Sequence, residues 1–250
     1  VPGCSGPVAM IRVLAVAALC VALAGAKSPP QFSQEFQVHV LDATVVYQGQ
    51  YEQLGNAYAC PIPSNCKVQT GGDEGTMYFD LKGQRTRFES PGGSTVTLFS
   101  IGKTMAVDAN NKCTAYCPVS GSLGSFGVDP NATFAGQVQF QGKTVDSWTW
   151  QDKSPFGVMS TTIFYVDSSG STPVPVQQSQ HLTPFGQDLG KSNSTYSGFQ
   201  AGTPSASLFD VTGIDACPKS QNCNSNSAKL HLVGRVEELV KASVAALELA

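Results

Sequence analysis

The residues able to do chemistry in this chain are few, and cysteine leads them. Cys60 and Cys66, Cys113 and Cys117, and Cys217 and Cys223 stand in C-x5-C, C-x3-C and C-x5-C pairs, bounded by turn formers such as Pro61, Pro63, Asn65, Pro118 and Asn222. Such thiols can hold zinc or close disulfides. Zinc knuckles use C-x2-C spacing and no histidine lies near any pair, so the reading is three disulfides formed in an oxidising compartment. The pairing stays open: short local loops fit, and so do long bridges from the 60s or 110s to the region of Cys217.

The remaining candidates point away from catalysis. His39, His181 and His231 are each isolated in sequence, and no G-x-S-x-G elbow occurs to carry a nucleophile. Gly102-Lys103-Thr104 and Gly142-Lys143-Thr144 imitate the end of a phosphate-binding loop. The glycine required five residues earlier is replaced by Thr97 and Gln137, so both are read as hairpin turns. Asp108-Ala-Asn110-Asn-Lys112 begins like a calcium loop but lacks the sixth-place glycine and the closing glutamate, which leaves an Asn-rich turn. Asp73, Glu74, Asp146 and Asp152 show no partner in an opposed environment, the requirement for paired acid and base work. The chain is read as a non-enzyme with no catalytic residue. Asn131-Ala-Thr133 and Asn193-Ser-Thr195 are acceptor sequons, read as lying in turns or at a strand edge where a glycan fits.

The elements that must position these residues follow from composition and periodicity. Of 250 residues 41% are apolar and only 13% charged, about half the usual ~25%. A net charge of -3 provides no basic field for nucleic acid or for an anionic membrane surface. Met10-Ile-Arg12, the apolar run Val13 to Leu23 and the small residues Ala24-Gly25-Ala26 describe a secretory signal peptide cleaved after Ala26. The run is too short to span ~30 Å of hydrocarbon, so no transmembrane segment is expected. Residues 1–26 are therefore set aside as upstream leader and signal peptide, and the protein is expected to be secreted.

From Glu35 onward, short alternating runs punctuated by Gly, Pro, Asn and Asp read as an antiparallel all-β domain. Met77, Phe79 and Leu81 share one face, as do Trp148 and Trp150. Phe134, Val138 and Phe140 fall on one face, with Gln137 and Gln139 on the other. Further strands are expected at 35–48, 84–90, 94–101, 104–109, 158–167, 172–182, 194–201 and 206–211, about eleven in all. Tight turns fall at Lys82-Gly83, Gly102-Lys103 and Gly142-Lys143. Residues 53–74 are read as a disulfide-pinned loop and 117–133 as a second loop. Val233, Val236, Val240, Val244 and Leu247 recur at helical spacing, so a C-terminal amphipathic helix is expected. That helix packs on the sheet, binds a partner, or leads into a longer protein. The expected fold is thus all-β and mainly antiparallel: two curved stacked sheets or a half-barrel, plus that helix.

The order of these features resembles the ependymin-related family of secreted proteins. Tyr78-Phe79-Asp80 with Gln84-Arg85-Thr86-Arg87-Phe88 is similar to that family's opening hairpin. Leu98-Phe99, Gly102, Met105, Val107-Asp108 and Lys112-Cys113 resemble the next. Asp129-Pro-Asn-Ala-Thr-Phe134 is similar to its glycosylated loop. Trp148-x-Trp150 and the run from Phe209-Asp210-Val211 to Cys217-Pro218 resemble later elements. The likeness covers 35–218, within a β domain read as 27–218, followed by a linker and helix over 219–250. Cys60, Cys66, Cys117 and Cys223 fall outside the family's pattern, so its disulfides are not carried over.

The resemblance implies facing curved sheets related to bacterial lipoprotein carriers, an apolar pocket, a homodimer, and association with lipid-like ligands, the extracellular matrix and calcium. Candidate lining residues are Phe79, Phe99, Phe140, Trp148, Trp150 and Phe164, the alternative being that these rings fill a closed core. The functional expectation is a secreted, disulfide-bonded, glycosylated protein holding a hydrophobic, lipid-like ligand between β-sheets and responding to calcium. The alternatives are an extracellular matrix or cell-matrix adhesion module with a filled core, and an accessory domain of a longer secreted enzyme.

Overall fold

The computed structural model describes residues 27–48, 52–54, 57–59, 67–71, 74–153, 158–184, 190–221 and 223. The expected signal peptide, the Cys60–Cys66 pair, His231 and the C-terminal helix lie outside them. Fourteen strands are defined: β1 Glu35–Gln48, β2 Glu52–Leu54, β3 Ala57–Ala59, β4 Lys67–Gly71, β5 Glu74–Asp80, β6 Arg85–Ser90, β7 Gly93–Leu98, β8 Lys103–Val107, β9 Cys113–Pro118, β10 Thr133–Phe140, β11 Lys143–Lys153, β12 Val158–Asp167, β13 Val174–Pro184 and β14 Gly190–Ala201. The described structure is all-β apart from two 3-10 turns, Phe99–Ile101 and Ala206–Phe209.

Long β1 organises the sheet. Strands β5 to β9 form one antiparallel meander and β10 to β14 a second, and the two meet on either side of β1 in the order β10-β11-β12-β13-β14-β1-β5-β6-β7-β8-β9. The far half of β1 pairs with β4 instead of β5, which gives one open twelve-stranded sheet. Of the two forms expected, a single bent sheet is the one adopted.

The bend follows from side-chain distances. Four strand steps separate β12 from β5, about 19 Å along a flat sheet. Yet the Phe126 ring lies 6.0 Å from Phe164 on β12 and 6.1 Å from Phe79 on β5. The two halves therefore curl toward each other, and the face carrying these rings is concave. Bulges assist the curl. Gly198, at φ +62, interrupts the pairing of β14 with β1 and turns Phe199 onto Phe36. Gly75 sits where β5 and β6 approach so closely that a Cβ would stand 2.1 Å from the Glu89 carbonyl oxygen.

Several expectations are corrected. Residues 206–211 are not a strand: Leu208 and Asp210 donate back to the carbonyls of Ser205 and Ser207, closing a 3-10 turn that aims Phe209 at the sheet. Residues 113–118, partly assigned to a loop, are edge strand β9, and the supposed loop 53–74 contains β2, β3 and β4. Strand 94–101 ends at Leu98, where a 3-10 turn closes on Gly102 at φ 62. Phe134, Val138 and Phe140 do not share a face. A bulge at Gly136, φ +113, leaves Phe134 opposite Trp148 but puts Val138 opposite Val145. Phe140 accordingly stacks on Tyr165 at 5.5 Å on the convex side.

Two cores result, one on each face. The concave core gathers Phe36, Val38, Val40, Met77, Phe79, Trp148, Phe164, Val166 and Tyr196. The convex core covers only the β5 to β9 half, with Val96, Met105, Val107 and Cys113 beneath Phe209, Val211 and Cys217.

Candidate functional site

Alternation on β1, β5, β11, β12 and β14 puts every second side chain on the concave floor. Register fixes which ones: Phe36 opposes Phe79, Val38 opposes Met77, and Trp148 opposes Phe164. The rings interlock, with Phe36 stacked on Phe79 at 5.0 Å and Phe164 on Tyr196 at 6.0 Å. Of the six candidate lining residues, Phe79, Trp148 and Phe164 are buried in this floor, and Phe99 and Trp150 pack against it half-buried. Phe140 does not reach it.

No second sheet covers the floor among the described residues; two irregular segments do. The strap 27–34 lays Phe32 against Phe164 at 5.8 Å. Lys27 pairs with the Asp146 carboxylate and lies 5.0 Å from the Phe134 ring. The loop 119–132 presses Leu123, Phe126 and Val128 onto the floor, Phe126 touching Phe32, Phe36, Phe79, Phe164 and Tyr196 at 4.8–6.1 Å. Two glutamines clasp its backbone. Gln34 accepts from the Phe126 N–H at 2.9 Å and donates to the Phe126 carbonyl at 3.0 Å, and Gln84 accepts from the Leu123 N–H at 2.9 Å. These clasps and Phe126 were missed in the sequence, because Gly121-Ser122-Leu123-Gly124-Ser125-Phe126-Gly127 shows no period and reads only as a loop.

Polar groups on the floor are sparse. The indole Nε1 of buried Trp148 meets no hydrogen-bond partner among the described residues. The Tyr196 hydroxyl donates to Gln178 at 3.2 Å. Burial, reinforced by the Asp42 charge, pushes its pKa up, so it stays protonated. Burial would raise the pKa of Asp146, but hydrogen bonds from Lys27, Ser168 and Gln137 hold it below the ordinary carboxylate range.

The convex core contrasts with this. Its cover, residues 203–223, is crosslinked to β9 by Cys113–Cys217 and Cys117–Cys223. It also hydrogen-bonds along that edge, the Cys113 N–H donating to Thr212 and the Tyr116 N–H to Pro218, both at 2.9 Å. Beneath it Arg87 donates to Glu89 at 2.7 Å and to Asn111 and the Leu208 carbonyl at 2.8 Å. Asp80 accepts from Arg85 and from the Gly83 N–H at 2.7 Å each. The Asp80, Arg85 and Arg87 of the resemblance thus tie a turn and a cover in place.

The other sequence candidates sort plainly. Asp108 accepts from the backbone N–H groups of Asn110 and Lys112 at 2.8 and 3.0 Å, the turn expected there. Among the described residues no group of three or more His, Cys, Asp and Glu gathers as a metal site. No described helix is long and apolar enough to cross a membrane. Asn131 is exposed in a turn, its own N–H donating to Asp129 at 2.7 Å. Asn193 is half-buried in β14 between β1 and β13, so the strand-edge or turn position expected for it is corrected.

No protein-family model and no curated protein matches the sequence. Among solved structures, the chain is similar to an uncharacterized conserved protein from Thermus thermophilus at 12% identity and TM-score 0.36, over 72% of this chain and 88% of that one. It is also similar to a LolA superfamily protein from Nitrosomonas europaea at 8% identity and TM-score 0.30, over 72% of this chain and 92% of that one. At these scores neither likeness carries an argument.

Proposed function

We propose that this is an exported, disulfide-bonded binding protein that holds a hydrophobic, lipid-like ligand on the concave face of its sheet, in the place taken here by the Phe126 loop. The observation that carries this reading is the nature of the cover. A continuous aromatic floor lies under a loop clasped by two glutamine side chains and a strap tied by one ion pair, whereas the convex core is closed by covalent bridges. An apolar chain entering from water would bury the same surface that Phe126 and Phe32 bury now, at roughly 25 cal/mol per Å² exchanged. The residues expected to contact it are Phe36, Phe79, Trp148, Trp150, Phe164 and Tyr196.

The test is titration of the mature protein, refolded without lipid, with a neutral solvatochromic probe such as Nile red. One saturable site with a blue-shifted emission supports the reading, and absence of saturable binding at micromolar probe overturns it. A structural or adhesion module with a permanently filled core is the second reading, favoured by the five ring contacts of Phe126. It predicts that second outcome.

A further inference from the structure

The chemistry of the ligand's polar end follows from the charges on the concave face. Among the described residues, the floor positions of β1, β5, β11, β12 and β14 include Asp42, Asp146 and Asp152 and no Lys, Arg or His. Lys27 of the strap reaches this face, and its ammonium is held by Asp146. A carboxylate or phosphate head would add a further negative charge to a face that already carries three carboxylates, and taking an uncompensated anion out of water is strongly unfavourable. The Trp148 indole N–H supplies the opposite preference. It is a donor, Trp148 is 1% exposed, and the described residues offer it no acceptor. Buried donors of this kind are nearly always satisfied, so a ligand acceptor is the natural partner. On the same face of β12 and β13, Ser160, Thr162, Gln178 and Gln180 donate and accept without charge.

We infer that the concave face selects an amphiphile whose head is uncharged and accepts hydrogen bonds, an ester or hydroxylated acyl lipid, over one whose head is anionic. This rests on the reading of the concave face as the ligand site.

The experiment displaces Nile red from the mature protein at pH 7.5 with two compounds of one acyl chain length: the monoacylglycerol and the fatty acid. The monoacylglycerol is expected to bind at least about tenfold tighter than the fatty acid, the order of effect that a desolvated like-charge contact produces. Equal or tighter binding of the fatty acid overturns this inference while leaving the binding function standing, and failure of the protein to bind Nile red overturns both. Replacement Trp148→Phe keeps an aromatic ring and removes the donor. It should weaken the monoacylglycerol by about tenfold relative to Nile red measured on the same variant, and an unchanged ratio of the two affinities contradicts the assigned donor role. Asp42→Asn should bring the fatty acid closer to the monoacylglycerol. If that variant does not fold, the comparison on the unaltered protein still decides.

Discussion

The two faces of this sheet bury apolar side chains, aromatic on the concave side and mostly Val, Met and Cys on the convex, under covers of opposite construction. On the convex side residues 203–223 are bound to β9 by two disulfides and a ladder of backbone hydrogen bonds, with Arg87 anchored beneath. On the concave side a Gly- and Ser-rich loop and an N-terminal strap rest on aromatic rings, secured by two glutamines and one ion pair. A protein that needed only stability could have closed both faces alike. On the proposed reading, the contrast is between one layer built to stay and another free to be exchanged.

The largest effects should come from the convex bridges. Cys113–Cys217 and Cys117–Cys223 span separations of 104 and 106 residues, so they close nearly the same long loop. With one in place the other closes only a short one. Each single removal to serine should therefore cost about 2–3 kcal/mol and removal of both about 7 kcal/mol, more than the two singles together. Denaturant midpoints of the three variants check this, and simple additivity would sink it. Next, Met105→Ala in the convex core should cost about 2–5 kcal/mol, while Phe126→Ala should cost no more than about 2 kcal/mol. Equal penalties would erase the distinction between core and cover.

A smaller effect concerns pH. The Asp146 pKa is depressed in the folded protein, so its contribution is present above the unfolded value of about 3.9 and is lost as pH falls through the lower folded value. The strap should hold from pH 7 to about 5 and loosen below about 4. Tryptophan emission should shift red there, and Asp146→Asn should already show that shift at neutral pH. A transition centred near pH 6 would assign the coupling to another group. Smallest of all, Asn131→Gln in the unglycosylated protein should leave the melting temperature within the noise of an exposed substitution, within about 0.5 kcal/mol. Expression in a glycosylating host should add one glycan at Asn131 and none at Asn193.

The strands were legible wherever one face is buried and the other wet, because alternation then has a single physical cause. Glu35–Gln48 and Val158–Asp167 have the bounds their patterns indicated. Legibility failed where a backbone device resets the period. The Gly136 bulge moved Val138 and Phe140 to the convex side, and nothing in Phe134-Ala-Gly-Gln-Val138 distinguishes that glycine from a strand residue. It failed again at β9, whose cysteines and terminal proline look like a loop until residues 212–220 are seen beside it. Of the site, the floor rings Phe79, Trp148 and Phe164 were visible as strand aromatics, but their cover was not. Phe126 and its clasp Gln34 lie 92 residues apart, and only the curl of the sheet brings them together.

Hydrogen–deuterium exchange on the purified protein, with and without saturating monoacylglycerol, tests the proposed exchange of the cover most directly. If ligand replaces Phe126, the amides of Leu123 and Phe126 lose their glutamine acceptors and exchange faster, while those of Cys113 and Tyr116 stay as protected as before. Bound ligand with both loop amides unchanged or slowed would contradict the account.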